Sequence, residues 1–367
     1  MKRSWIQHVK GKTTRQARVG TVGKNEELFG RQGFFGTASM LYHENPPSEL
    51  IRIEGSFSVR NANFTKMETA DMTDPRADFT LLLSNNDLKI GLSRRKEAMP
   101  YAFRNVDGDL LYFVHQGEGV FATEFGPLAY EPGDYVLLPK GTTFRHMPST
   151  DDGIFYITES IEPIDFAEHK QVGRHMPFDM SLLTIPELTK YDWPEQEEYE
   201  LYFKHGGGEY SSAFYEHNML DVVGWKGDLF PIKINIRDII PLSSDRIHIP
   251  PSSWATFETS RMMVVTFLPQ IAVQDLTSVE LSSNHRNIDC DETIMIHDHP
   301  MVPKGTFAHI PQGIVHGPKK QIRDMFNMMR KPGDRRKMTA ISIDTYSPVK
   351  PSAELIEFHK NNPPLIS

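Results

Sequence analysis

The chain has almost no cysteine: Cys290 is its single thiol among 367 residues. One thiol cannot form an intrachain disulfide, which fits a protein of a reducing compartment. The chain also lacks any apolar run of the roughly 18 residues that a membrane span requires, and no apolar signal-peptide core follows the N-terminus. These absences predict a soluble, cytoplasmic protein with no membrane partner.

An excess of positive charge is absent as well. The formal net charge is −8 and the isoelectric point is about 6.0, so the basic footprint of a nucleic-acid-binding protein is missing. The one basic stretch, residues 2–18, is interpreted as a solvated arm. With 39% hydrophobic residues over this length, the chain can form two domains with real cores.

What the chain does contain is a series of short apolar or alternating segments separated by turn residues. They recur about every 8 to 12 residues, which is typical of all-β sandwiches and barrels. Few helices are expected: one near residues 319–329 and one within residues 348–367. The pattern divides the chain into four parts: an irregular N-terminal arm (1–50), a first β-domain (51–165), an interdomain connection (166–230) and a second β-domain (231–367).

One segment occurs twice, and the two copies differ in their chemistry. Residues 103–110 (FRNVDGDL) match residues 285–292 (HRNIDCDE). The spacing Gly-x5-Pro-x-Gly-x2 follows both copies and ends on Phe144 in the first and His316 in the second. Three apolar residues of the first copy thus correspond to three potential metal ligands in the second: Phe103 to His285, Leu110 to Glu292 and Phe144 to His316.

Two histidines and one carboxylate are the ligand set of many non-haem iron sites, in which the remaining positions stay open for substrate and O2. Zinc or manganese would accept the same residues, so the pattern alone leaves the metal open. Asp291 is a competing carboxylate. It matches Asp109 of the metal-free copy, which favours a structural role for Asp291 and favours Glu292 as the ligand.

Two further histidines of the second copy are candidate substrate-binding residues. His309 lies on the strand before His316 and is expected to line the pocket. His297 lies beyond the second segment, although its match to His115 in the first copy also favours a shared structural role. Cys290 matches Gly108 and is interpreted as a small buried residue rather than a nucleophile.

The two metal-related motifs resemble the two short signatures of the cupin family. The first reads His285-x-Asn287-x4-Glu292, with asparagine in place of the second histidine, and the second is complete from Gly305 to His316. This resemblance implies an all-β tandem cupin, or bicupin: two small β-barrels or jelly rolls, of which the first has lost its metal.

Longer stretches resemble the homogentisate 1,2-dioxygenase family across most of residues 100–345. The matching segments are 105–109 (NVDGD), 123–126 (TEFG), 221–227 (DVVGWKG), 285–287 (HRN) and 316–318 (HGP). The resemblance implies Fe(II)-dependent opening of the homogentisate ring with O2, giving maleylacetoacetate in tyrosine and phenylalanine breakdown. It also implies a homo-oligomer, either a trimer or a hexamer.

The same resemblance implies roles for individual residues. His285, Glu292 and His316 would be the iron ligands, and His309 would match the family's pocket histidine. His248, within residues 246–252 (RIHIPPS), would be a general base toward a substrate hydroxyl, a task suited to an imidazole that titrates near neutrality.

Several alternatives remain open at this point. The family's segment with a substrate-contacting tyrosine is missing between Ile296 and Gly305, so a related hydroquinone or a gentisate-like acid is a second possible substrate. A bicupin isomerase with manganese or zinc is an alternative of a different class, and the metal that co-purifies would discriminate it. A non-catalytic binding or storage protein is a third.

Overall fold

A computed structural model describes residues 8–13, 25–32, 35–169, 172–173, 177–189, 193–246, 249–274, 284–329, 331 and 333–362. Within these residues the chain forms 25 strands, two α-helices and four short 3-10 turns. Neither of the two helices in this part of the chain is long and apolar enough to cross a bilayer. The predicted all-β class with few helices is confirmed.

The strands of the first half are β1 (Asn25–Gln32), β2 (Phe35–His43), β3 (Arg60–Asn63), β4 (Thr80–Ser84), β5 (Leu88–Ser93), β6 (Ala102–Asn105), β7 (Asp109–Gln116), β8 (Gly119–Thr123), β9 (Gly126–Tyr130), β10 (Asp134–Leu138), β11 (Thr143–Pro148), β12 (Ile154–Ser160) and β13 (Asp165–Phe166). Those of the second half are β14 (Tyr199–His205), β15 (Glu209–Tyr215), β16 (Ile232–Asn235), β17 (Ala255–Glu258), β18 (Met262–Phe267), β19 (Gln270–Ile271), β20 (Asn284–Asn287), β21 (Asp291–Asp298), β22 (Thr306–Ile310), β23 (Arg335–Arg336), β24 (Thr339–Thr345) and β25 (Lys350–Pro351). The helices are α1 (Lys320–Met329) and α2 (Ala353–Asn361), close to the two predicted positions. The 3-10 turns are Ala70–Met72, Met180–Leu182, Ile236–Asp238 and Pro251–Trp254.

The first barrel consists of two facing sheets. One has the order β16-β10-β7-β12-β5-β4-β25 and the other the order β15-β14-β6-β11-β8-β9. Side chains fill its interior, as is usual for small barrels. They are mostly aromatic or branched and buried: Tyr101, Phe103, Leu110, Tyr112, Phe121, Phe144 and Phe155. The three apolar residues that replace the metal-type residues thus belong to a closed core.

The second barrel has one large sheet, β13-β17-β18-β24-β21-β22-β3, and a smaller one, β2-β1-β20. Its large sheet packs on the β7–β10–β12 sheet of the first barrel through a shared apolar core. This core includes Phe64, Phe113, Tyr135, Tyr156, Phe257, Met295, Phe307, Ile341 and Ile343. Two hydroxyl pairs cross the same interface: Tyr135 with Thr266 at 2.9 Å and Tyr156 with Thr293 at 2.7 Å.

The two barrels also exchange strands. β3, from the first half of the chain, pairs with β22 of the second barrel. β16 and β25, from the second half, pair with β10 and β4 of the first barrel. Each large sheet is therefore completed by chain from the other half, and this ties the barrels together through backbone hydrogen bonds.

The expectation of an irregular arm over residues 1–50 is wrong for residues 25–32 and 35–43. There β1 and β2 form an antiparallel hairpin, and β1 pairs in parallel with β20, the strand of His285. Residues 166–230, interpreted as a connection, likewise contain the hairpin β14–β15, and β14 runs parallel to β6. Both hairpins pair with strands that are distant in the sequence, so local sequence patterns could not predict these pairings.

The two hairpins occupy matching positions in the two barrels. β14 pairs with β6 in the same register as β1 pairs with β20, so that Lys204 lies beside Asn105 and Gly30 beside Asn287. The repeat in the sequence is therefore a repeat in the fold, and each residue around one barrel's ligand position has a counterpart in the other.

Candidate metal centre

His285, Glu292 and His316 converge inside the second barrel. His285 lies on β20, Glu292 near the start of β21 and His316 on the loop after β22. The backbones of His285 and His316 are joined by two reciprocal N–H···O bonds of 2.9 Å. One ligand atom from each of the three side chains lies within 4.8 Å of the other two. The structure thus brings together the three residues that the sequence selected as ligands.

The three side chains share one hydrogen-bond centre. Glu292 Oε2 lies 3.1 Å from His285 Nε2 and 3.0 Å from His316 Nε2. The second nitrogen of His316, Nδ1, donates to the carbonyl of Ile314 at 3.0 Å. A backbone acceptor on Nδ1 fixes the ring so that Nε2 faces the centre, which is the usual outer support of a metal-binding histidine.

The electrostatics of the cluster follow from this geometry. Burial opposes ionisation of Glu292, but His316 and His285 outweigh it and hold the pKa of the carboxyl well below its usual range. Burial lowers the pKa of His316, but Glu292 raises it by more, so the net effect is a raised pKa. The carboxylate is therefore ionised beside two imidazoles, and a cation could replace the protons that the cluster shares. The donor set fits a divalent transition metal with open positions.

Asn287, which stands in the place of a second cupin histidine, supports the carboxylate. Its side-chain amide donates to Glu292 Oε2 at 3.2 Å. Its backbone carbonyl accepts from the N–H of Gly313 at 2.7 Å. Gly313 has a φ of 84°, a region that glycine enters without a steric penalty. The Pro-x-Gly turn thus joins the loop of His316 to the strand of His285. The match of Asn287 to Asn105 in the first copy was the sequence signal for the supporting role of Asn287.

Asp291 has structural contacts that repeat those of Asp109. Asp291 accepts from the backbone N–H groups of Gln312 and Val349. Asp109 accepts from those of Lys140 and Ile164. In both barrels this carboxylate fixes the loop that leads to the ligand position, and Asp291 lies outside the cluster formed by Glu292.

His309 and His297 are not brought to the cluster. His309 is paired across the sheet with Thr293, one residue from Glu292 and therefore on the opposite face of β21. Its Nε2 lies 3.0 Å from Asp291 Oδ2. His297, five positions after Glu292, also faces away, and its Nδ1 lies 3.0 Å from Nδ1 of His115. His248 lies outside the described residues.

Burial changes the titration of the His115–His297 pair. It lowers the pKa of His115 to about 3 and that of His297 to about 4, with the neighbouring positive groups adding to the effect. Both rings are therefore neutral at pH 7. Their place between the barrels agrees with the structural role that the match of His297 to His115 favoured.

Two further features surround the ligands. Asp344 on β24 is the cross-strand neighbour of Glu292, and burial together with the charge of Glu292 raises the pKa of Asp344 well above its usual value. A cavity of about 760 Å³ borders the loop that leads to His316. It is lined by Pro47, Glu49, Leu50, Ile51, Arg52, Ile53, Gly313, Ile314 and Val315.

Solved structures that align with this chain share little sequence with it. A salicylate 1,2-dioxygenase from Pseudaminobacter salicylatoxidans aligns with a TM-score of 0.37 and 11% identity over 84% of this chain and 88% of its own. A cupin 2 conserved barrel domain protein from Leptotrichia buccalis aligns with a TM-score of 0.34 and 11% identity over 77% of this chain and 100% of its own. Similarity at this distance carries no information on activity.

Sequence relatives are more informative. Residues 83–236 match a family model described as homogentisate 1,2-dioxygenase N-terminal. A protein of Saccharolobus solfataricus, provisionally named a dioxygenase, is 30% identical over 346 residues, which is 89% of this chain and 88% of that protein. Homogentisate 1,2-dioxygenases of Nitrobacter hamburgensis and Bradyrhizobium diazoefficiens are 29% and 28% identical over 43% and 45% of this chain, and these matches span 35% and 36% of their own length. The chain belongs to the homogentisate 1,2-dioxygenase family.

Proposed function

We propose that the protein is an Fe(II)-dependent dioxygenase that opens the ring of homogentisate with O2 and yields maleylacetoacetate, in tyrosine and phenylalanine breakdown. The observation that carries the proposal is the convergence of His285, Glu292 and His316 on one centre in a member of this family. Two histidines and a carboxylate with open positions form the ligand set of non-haem Fe(II) oxygenases.

The chain's own residues would hold and orient the metal. His285 and His316 would bind through Nε2 and Glu292 through its carboxylate. The carbonyl of Ile314 would keep the His316 ring in place, and Asn287 would position Glu292. Bound Fe(II) would supply the redox chemistry with O2 and polarise a hydroxyl of the substrate.

His248 remains a proposal that rests on the family resemblance. It would take a proton from a ring hydroxyl of the substrate as the general base. His309 and His297, predicted as substrate contacts, both face away from Glu292: His309 lies against Asp291 of its own barrel, and His297 is assigned to the packing between the barrels.

A related hydroquinone or gentisate-like acid is the second candidate substrate. The observation that favours it is the distribution of the similarity. The relative matched along most of its length is named only as a dioxygenase, whereas the named homogentisate dioxygenases match less than half of this chain. The identity of the aromatic substrate therefore needs a direct test.

The test is oxygen uptake by protein loaded anaerobically with Fe(II), on addition of homogentisate, gentisate or unsubstituted hydroquinone. Glu292→Ala removes the carboxylate ligand, and Glu118→Ala removes an exposed carboxylate of the first barrel as a matched control. Uptake with homogentisate in the wild type and Glu118→Ala, and its loss in Glu292→Ala, would support the proposal.

Other outcomes separate the alternatives. Uptake only with gentisate or hydroquinone would keep the reaction class and replace the substrate. No uptake with any of the three, on protein shown to contain iron, would overturn the dioxygenase proposal in favour of a metal bicupin of the isomerase type. We further propose that the protein is cytoplasmic and forms a homo-oligomer, a trimer or hexamer; sedimentation of the purified protein would test the oligomeric state.

A further inference from the structure

Two acidic side chains lie next to each other inside the second barrel. Asp344 on β24 is directly opposite Glu292 on β21. Residues directly opposite on neighbouring antiparallel strands project from the same face of the sheet, so both carboxyl groups point into the barrel. In the described part of the chain, the side chain of Asp344 has one hydrogen-bond partner, the hydroxyl of Ser342 at 3.3 Å.

The first barrel has an acid at the same position, with its charge neutralised. Glu159 on β12 is directly opposite Leu110, the counterpart of Glu292. Its carboxylate forms ion pairs of 2.8 Å with Lys204 and with Lys89. It also accepts from the amide of Asn105 at 2.9 Å. A buried carboxylate is tolerable when it is paired and hydrogen-bonded in this way.

The second barrel lacks both of these cations. Lys204, which lies beside Asn105, corresponds to Gly30, which lies beside Asn287. Lys89, opposite Glu159, corresponds to Met263, opposite Asp344. The amide of Asn287 donates to Glu292, whereas that of Asn105 donates to Glu159.

Asp344 therefore lacks the two lysine partners that neutralise Glu159, and the cationic group that acts on it in the described residues is the imidazole of His316, itself a proposed metal ligand. Placing two acids side by side without a cation is costly in a barrel interior. The cost is offset when a cation occupies the space beside them.

We propose that Asp344 is a functional part of the metal centre: it provides the second negative charge that balances a divalent cation held by His285, Glu292 and His316. Two neutral imidazoles and one carboxylate leave a divalent ion with one uncompensated positive charge, and Asp344 removes it. The proposal rests on the proposed metal site and assigns to it a residue that does not itself belong to the ligand set.

Metal binding to the purified, metal-free full chain tests the proposal without reference to activity. Titration with Co(II) and with Mn(II) is followed by calorimetry at pH 7.5 for the wild type, Asp344→Asn and Asp344→Glu. We expect Asp344→Asn to weaken binding about 10- to 100-fold, as loss of an outer partner of a metal site commonly does. Asp344→Glu keeps the charge and should keep most of the affinity.

Thermal unfolding of the same metal-free proteins separates this role from a structural one. The side chain of Asp344 has a single, long hydrogen bond in the described residues, to Ser342 at 3.3 Å, so Asp344→Asn should unfold at about the same temperature as the wild type. Glu159→Gln, the matched change in the first barrel, breaks a satisfied ion-pair network. It should unfold at a lower temperature and bind metal with unchanged affinity.

The outcomes distinguish the proposed role of Asp344 from the proposed metal site on which it rests. Equal affinity of the wild type and Asp344→Asn would overturn the role of Asp344 and leave the metal site intact. Affinity as weak in Asp344→Glu as in Asp344→Asn would overturn the charge argument. If the wild type binds neither metal, or if Glu292→Gln binds as well as the wild type, the proposed metal site itself is wrong.

Discussion

His115 of the first barrel and His297 of the second face each other across the interface, with their Nδ1 atoms 3.0 Å apart. One of these nitrogens carries the shared proton and the other accepts it, so the contact requires at least one neutral ring. Like the two tyrosine–threonine pairs, the histidine pair is a polar side-chain contact between the two barrels. It makes the packing of the two barrels sensitive to acid.

The first prediction concerns stability at low pH. The folded pKa values of about 3 and about 4 lie below the value of about 6.5 for an unfolded histidine. The unfolded chain therefore binds more protons, and stability falls as the pH drops below about 6.5. His297→Gln removes one such group. Urea denaturation should show that the variant loses about 2 kcal/mol less than the wild type between pH 7.5 and pH 5. Equal losses would contradict this account of the pair.

The second prediction concerns the close approach of the His316 loop to β20 at Gly317. Its φ is 143°, and a Cβ atom there would lie 2.6 Å from Asn284 Oδ1 and 3.0 Å from Asn284 Cα. Gly317→Ala should push β20 away from the loop of His316 and weaken Co(II) binding about tenfold or more.

Gly313→Ala is the matched control for this change. Gly313 also has a positive φ, of 84°, but no atom lies within 4 Å of its added Cβ. The control should lose about 1–2 kcal/mol of stability through backbone strain and retain its affinity for Co(II). Similar affinities in the two variants would show that the spacing at Gly317 does not govern the site.

The third prediction concerns the ion pairs of the first barrel. Lys204 is buried between Asp78 and Glu159, at 2.7 and 2.8 Å. Lys204→Met leaves two acids without this partner and should cost about 3 kcal/mol of stability, the lower end of the range for a broken buried pair. The double variant Lys204→Met/Glu159→Gln should lose less than the sum of the single changes, by about 1–3 kcal/mol. Strict additivity in a double-mutant cycle would argue against a coupled network.

The fourth prediction concerns metal removal. A ligand that binds only the folded state stabilises it, by about 2.7 kcal/mol at a free concentration 100 times its dissociation constant. Anaerobic Fe(II) at that excess should therefore raise the unfolding temperature of the wild type, and a chelator should reverse the rise. Glu292→Gln should show no such response. A rise of equal size in that variant would place the bound metal elsewhere.

The ligand set could be predicted from the sequence because the repeat provided an internal comparison. At three positions the first copy has apolar residues where the second has potential metal ligands. The apolar residues are Phe103, Leu110 and Phe144. The fold class followed from strand-length periodicity, and the acid chosen as ligand followed from the match of Asp291 to Asp109. Each of these inferences used residues close together in the chain or aligned with the repeat.

What the sequence could not provide depended on pairing between distant strands. β1 pairs in parallel with β20, in the second half of the chain, and no local pattern indicates this pairing. The direction of His309 depends on its pairing with Thr293, which a strand considered alone does not reveal. For His297 the information was present in its match to His115, which favoured the structural role.

The pairing of β1 with β20 has a consequence for how the protein is made. During synthesis β1 leaves the ribosome long before the strand of His285, and β1 can pair with β20 only after residues 284–287 have been translated. β3 can likewise pair with β22 only after residues 306–310 have been translated. The metal-binding barrel therefore cannot be completed before β22 and β24 have been translated, and an ion held by all three proposed ligands can be loaded only after that point.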